Sequence, residues 1–86
     1  MNQPIEIISD YVRGHAPRAA QAKDISALPV YKTFDSIAMI DFIAFLERSF
    51  SIRIGDADVL PENFETFAAV ARLVESKRGG RWTDQR

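Results

Sequence analysis

The apolar positions of this chain fall into three helix-period stretches. Ile5, Ile8 and Val12 lie on one stripe, with Ile7 and Tyr11 beside it, and Pro4 suits a first helical position, so the pattern predicts a helix over residues 4–13. Gly14 is read as a left-handed stop and Pro17 as a bar to continuation, although R-A-A-Q-A-K could form another turn. The clearest period comes last: Phe67, Val70, Ala71 and Val74 sit at i, i+3, i+4 and i+7, with Leu73 alongside. Thr66 is the expected N-cap of that helix, Lys77 and Arg78 suit the C-terminal end of its dipole, and Gly79-Gly80 is read as its stop.

Between these two lies F-D-S-I-A-M-I-D-F-I-A-F-L-E-R-S-F, residues 34–50, which predicts a helix from Ser36 to about Ser49 with Asp35 as N-cap. Placed on a wheel, it has two apolar arcs. Met39, Phe42, Ile43, Leu46 and Phe50 form the core-facing one. Ile37, Ile40 and Ala44 form a second, on the side where Ser36 points, edged by Asp41, Glu47 and Arg48. One buried stripe suffices to fold a helix. The second arc is either covered by a small neighbouring helix or left for a partner.

The connection from His15 to Phe34 holds Pro17 and Pro29 but also Ile25, Leu28, Val30, Tyr31 and Phe34, too apolar for a free linker, so it is expected to lie across the helices and close the core. S-I-R-I-G, residues 51–55, alternates too briefly for a strand; Gly55 marks a turn, and Asp56 is expected to cap a short helical turn through Asp58, Val59 and Leu60, stopped by Pro61. The fold class is therefore all-α: a small four-helix bundle of three main helices and one short one, with a long loop between helices one and two. The bundle is assigned to residues 1–78, and residues 79–86 to a flexible tail in which Trp82 is either a loose anchor or unpacked.

At 86 residues the chain is one domain, and 47% hydrophobic with 27% charged residues is a globular composition. There is no cysteine, which removes disulfides and thiolate chemistry. No stretch suits a membrane span or signal peptide, so a cytoplasmic protein is expected. The net charge of −1 is unevenly spread: residues 1–32 carry +1, residues 33–76 carry −5 and residues 77–86 carry +3. The acidic middle is either a solvated surface or a docking face for basic partners. The basic end lacks interleaved aromatics, so Arg78, Arg81 and Arg86 argue weakly for nucleic acid. The single His15 has no serine elbow or third triad member, ligands at metal spacing are lacking, and no glycine-rich phosphate cradle occurs.

Phe34-Asp35-Ser36-Ile37 resembles the attachment motif of the acyl carrier protein family, Asp-Ser-Leu at the start of its second helix. The resemblance continues through L-E-R-S-F, like the family's Leu-Glu-x-x-Phe, through Ile52 and Ile54, and through N-F-E-T-F-A-A-V-A-R-L-V. It covers about residues 28–77 and is weaker over the first helix. It implies a carrier without catalytic activity of its own. Ser36 would bear 4′-phosphopantetheine from coenzyme A, installed by a phosphopantetheinyl transferase that Asp35 helps to dock. The arm would hold acyl or aminoacyl groups as thioesters for a loading ligase and downstream enzymes, which dock on Ile37, Ile40, Asp41, Ala44, Glu47 and Asp56 of a monomer. Two departures narrow it. Thr33 stands where the family has glycine, implying ordinary backbone angles there, and Ala38 and Arg48 thin the acidic face, pointing to a specialised carrier. The alternative is an interaction module or structural subunit of the same fold that lacks the arm.

Overall fold

The computed structural model describes residues 3–83, with the backbone alone for 79–83. Helix α1 runs Pro4–His15, α2 Val30–Thr33, α3 Ser36–Phe50 and α4 Phe67–Thr83, joined by single 3-10 turns at Ala19–Gln21, Ile25–Ala27, Asp56–Asp58 and Pro61–Asn63. The all-α class holds: among the described residues there are four α-helices and no strand. The short helix is not where the sequence placed it. Residues 56–58 make one 3-10 turn, and the four-residue helix lies inside the long connection, after Pro29.

Each long helix buries the stripe its period predicts. Ile8 and Val12 of α1, Phe42, Leu46 and Phe50 of α3, and Phe67, Val70, Ala71 and Val74 of α4 are buried. Ile5 of the α1 stripe and Met39 and Ile43 of the α3 stripe are only half-buried, at the edge of that core. The long connection closes the core through Ile25, Val30 and Phe34, with Leu28 half-buried, whereas Tyr31 stays exposed. The interior is aromatic: Phe34, Phe42 and Phe67 meet with ring centroids 5.1–5.8 Å apart. Tyr11 of α1 stacks on Phe45 of α3 at 4.1 Å and on His15 at 3.9 Å.

Several boundaries differ from the pattern, each for a local reason. Gly14 lies within α1 and has no positive φ, and the helix ends at Ala16, whose N–H donates to Val12 O at 2.8 Å. R-A-A-Q does take one further turn, of 3-10 type. α3 runs one turn-closing residue further, to Phe50, and Ser51 takes the left-handed C-cap conformation (φ 55°) that usually favours glycine. Gly55, not Asp56, precedes the next turn, and the carboxylate that closes it belongs to Asp58, whose Oδ2 accepts from Gly55 N–H at 3.1 Å. Pro61 opens a 3-10 turn of its own after Leu60. Thr66 caps α4 as expected, its hydroxyl accepting from Ala69 N–H at 3.1 Å. Gly79-Gly80 does not stop that helix, because glycine weakens a helix by about 1 kcal/mol without forbidding it. Lys77 and Arg78 therefore lie inside α4. Lys77 Nζ is 2.7 Å from Asp58 Oδ2, and the Arg78 guanidinium sits 5.8 Å over the Phe50 ring. The Trp82 side chain and residues 84–86 lie outside the described residues.

Two predictions follow from the packing. Phe42 is fully buried against Phe34 and Phe67, so Phe42→Ala should lose about 3–5 kcal/mol in urea denaturation. The Lys77 ammonium and the Gly55 N–H hold the Asp58 carboxyl below the usual carboxylate range. Because the folded value is depressed, its stabilisation is complete above the unfolded pKa of about 3.9 and fades as pH falls through the folded value. Asp58→Asn should thus cost up to about 1 kcal/mol at pH 7, and the difference from the parent should shrink in acid titrations as pH falls below the unfolded value.

Candidate functional site

The start of α3 is built from the core outward. Phe34 is buried, and its N–H donates to Val30 O at 2.9 Å, ending α2. The next residue, Asp35, is extended and caps α3: its Oδ1 accepts from Ala38 N–H at 2.8 Å, and its carbonyl accepts from Met39 N–H at 2.8 Å. Ser36 follows as the first helical residue. It is exposed, and among the described residues its hydroxyl has no protein partner. First-turn N–H groups point outward at the same end, where the helix dipole favours an anion.

Thr33 is the last residue of α2. Its hydroxyl donates to Pro29 O at 2.8 Å and its N–H to the same carbonyl at 3.2 Å. The backbone there is ordinary, as threonine requires: among the described residues only Ser51 takes a positive φ.

Ile37 and Ile40 are 73% and 68% exposed, so no neighbouring helix among the described residues covers the second arc. Ala44 is half-buried at its far end, and Asp41 is exposed beside it. Burial and the Asp41 carboxylate raise the Tyr11 phenol above its ordinary value, with Arg48 pulling the other way, so these charges lie along the α1–α3 seam. Glu47 lies about 16 Å from Ser36 along the helix axis at 1.5 Å per residue. It spends one carboxylate oxygen inside the fold: Oε2 accepts from Ile54 N–H at 2.8 Å and ties the segment after α3 to its last turn. Asp56 is exposed in the 3-10 turn beyond α3. Ser36, Ile37, Ile40, Asp41 and Ala44 are thus gathered on consecutive turns of one helix, whereas Glu47 and Asp56 are not part of that group.

The sequence pattern did not disclose a groove of about 810 Å³ beside this end of α3. That lies within the roughly 300–1,000 Å³ typical of small-molecule sites. Its walls come from residues 15–19, 28–29 and 32–35, with Ala38 of α3. Arg18 and Lys32 are exposed on it, and among the described residues neither has an ion-pair partner. His15 lines it too. Its Nδ1–H donates to Tyr11 O at 2.9 Å, since a carbonyl can only accept. The only sequence signal for this feature is the pairing of basic residues with Pro17 and Pro29 in the long connection.

Among the described residues no group of three or more His, Asp or Glu side chains could hold a metal ion, and no helix is long and apolar enough to cross a membrane. No protein family, curated protein or solved structure matches this chain.

The cap can be tested directly. Asp35→Ala should destabilise the fold by about 1 kcal/mol in urea denaturation, and Asp35→Asn, which can still accept from Ala38 N–H, should retain most of that stability.

Proposed function

We propose that this chain is a discrete carrier protein, without catalytic activity of its own, that bears 4′-phosphopantetheine on Ser36. The observation that carries the reading is an exposed serine with a free hydroxyl at the capped N-terminus of α3, with exposed isoleucines one and four residues further on. The resemblance of Phe34-Asp35-Ser36-Ile37 and the downstream pattern to acyl carrier proteins supplies the chemistry. In that chemistry the Ser36 hydroxyl oxygen attacks the phosphorus of coenzyme A that carries the pantetheine. A serine–phosphate bond forms, the pyrophosphate P–O bond breaks, adenosine 3′,5′-bisphosphate leaves, and the hydroxyl proton passes to the transferase. The thiol of the arm then holds an acyl or aminoacyl group as a thioester. Loading and processing enzymes in the cytoplasm dock on Ile37 and Ile40 of a monomer, with Asp41 steering basic partners at a strength that falls with salt.

What the chain's own residues contribute is placement. Asp35 fixes the first turn, so the arm leaves from a rigid point rather than from a loop. The first-turn dipole favours the phosphodiester charge beside Ser36. The two isoleucines offer a contact small enough for rapid exchange between enzymes.

The exposed Ile37–Ile40 strip also suits a second reading, an adaptor or structural subunit that docks through this face without an arm. Intact mass separates the two. Incubation with coenzyme A and a broad-specificity phosphopantetheinyl transferase should add one phosphopantetheine, and Ser36→Ala should abolish the gain. Absence of any gain, under conditions that fully modify a control carrier, sinks the carrier reading and leaves the adaptor.

A further inference from the structure

We propose that the groove beside α3 is a cargo site that selects acyl groups ending in a carboxylate; this rests on attachment of the arm at Ser36. The groove borders the first turn on either side of that serine, since Asp35, one residue before it, and Ala38, two residues after it, line it. Leu28, Pro29 and Ala38 give it an apolar wall, and Arg18 and Lys32 add two cations. Elsewhere in the described structure Arg13 pairs with Asp10 at 3.4 Å, Lys77 pairs with Asp58 at 2.7 Å and Arg78 covers the Phe50 ring, whereas Lys23, Arg53 and Arg72 make no ion pair and do not line this groove. Arg18 and Lys32 have no such partner among the described residues. The one acid on the groove, Asp35, has an oxygen engaged with Ala38 N–H. An apolar wall with two unmatched positive charges complements a short methylene chain carrying a terminal carboxylate.

The core between α3 and α4 is not a competing location. Phe42, Leu46, Phe67, Val70 and Val74 are fully buried there, and the Phe42 and Phe67 rings meet edge-on at 5.6 Å. Tethering also removes the need for high intrinsic affinity. A group linked at Ser36 meets the groove at an effective concentration on the order of mM, so a shallow, partly exposed site is sufficient to hold it between partners. Two surface cations supply selectivity rather than tight binding, and salt should weaken it.

The test compares two cargoes of equal chain length. Glutaryl- and valeryl-phosphopantetheine are transferred to Ser36 from their coenzyme A thioesters, loading is verified by intact mass, and amide resonances are compared with those of the unacylated holo protein. The glutaryl form should shift the amides of residues 16, 18–19, 28 and 32–33, the shifts should shrink at high salt, and the valeryl form should leave them near their holo positions. The double variant Arg18→Ala/Lys32→Ala, altered only at exposed positions, should still load but should lose the glutaryl shifts. Equal shifts with both cargoes, shifts unchanged in the double variant, or none in a fully loaded glutaryl form would each overturn the cargo site while leaving the carrier reading standing. If neither cargo adds mass under conditions that fully modify a control carrier, both readings fall.

Discussion

Burial of Phe34 is the constraint on which the rest of the site depends. Its ring lies within 5.1 Å of Phe42, 5.8 Å of Phe67 and 6.1 Å of Tyr11, so one side chain from the connection touches rings from all three long helices. Fully burying such a side chain stabilises by about 1.5–3 kcal/mol before its aromatic contacts are counted. Asp35 is the next residue and Ser36 the one after. With Phe34 held in the core, the cap and the exposed hydroxyl have one place to go. Core packing at Phe34 and the exposed hydroxyl of Ser36 are thus separated by only two peptide units, and a change that loosens the first displaces the second.

The connection that delivers Phe34 is itself pinned by backbone. Val30 N–H donates to Glu65 O at 3.3 Å and Phe67 N–H to Leu28 O at 3.2 Å, an isolated antiparallel bridge between Pro29 and Thr66. The two bonds lie at the starts of α2 and α4, so the beginnings of both helices are fixed against each other. They also answer why so long a connection is affordable in so small a domain. Its buried side chains, Ile25, Val30 and Phe34, each join the common core, and its backbone is spent in 3-10 turns, the short helix and this bridge. Thr33 strengthens the same device by sending both its hydroxyl and its N–H to Pro29 O, a role for which glycine has no side chain.

Long helices and their inner faces were legible in the sequence because a buried stripe repeats with the helix period. Asp35 and Thr66 were legible as caps because a short polar side chain before an apolar run has few other uses. What escaped depends on partners distant in sequence. The short helix after Pro29 is held by Glu65, and nothing in V-Y-K-T announces that contact. Asp58 outranks Asp56 because Lys77, nineteen positions away, faces it. Ser51 accepts a left-handed backbone to close α3 where no glycine is available, a strain that packing rather than propensity decides. Of the candidate docking residues, Glu47 shows the same limit. Its wheel position borders the exposed arc, but Ile54 N–H draws its carboxylate inward.

Ile37 and Ile40 add an argument of their own. Each leaves most of its surface in water, in a small domain whose other isoleucines are half-buried or fully buried. Scattered exposed apolar residues are ordinary, but these two stand about one helical turn apart, one and four residues after the free Ser36 hydroxyl. Their burial is therefore available to association rather than to folding. Two side chains of this size can contribute a few kcal/mol at about 25 cal/mol per Å², less the cost of lost translational and rotational freedom. Such a surface supports weak, short-lived contacts unless charges or a tethered group add to it. That balance fits the proposed carrier, in which the isoleucines and Asp41 would give an encounter that dissociates readily and the group on the Ser36 arm would set how long it lasts.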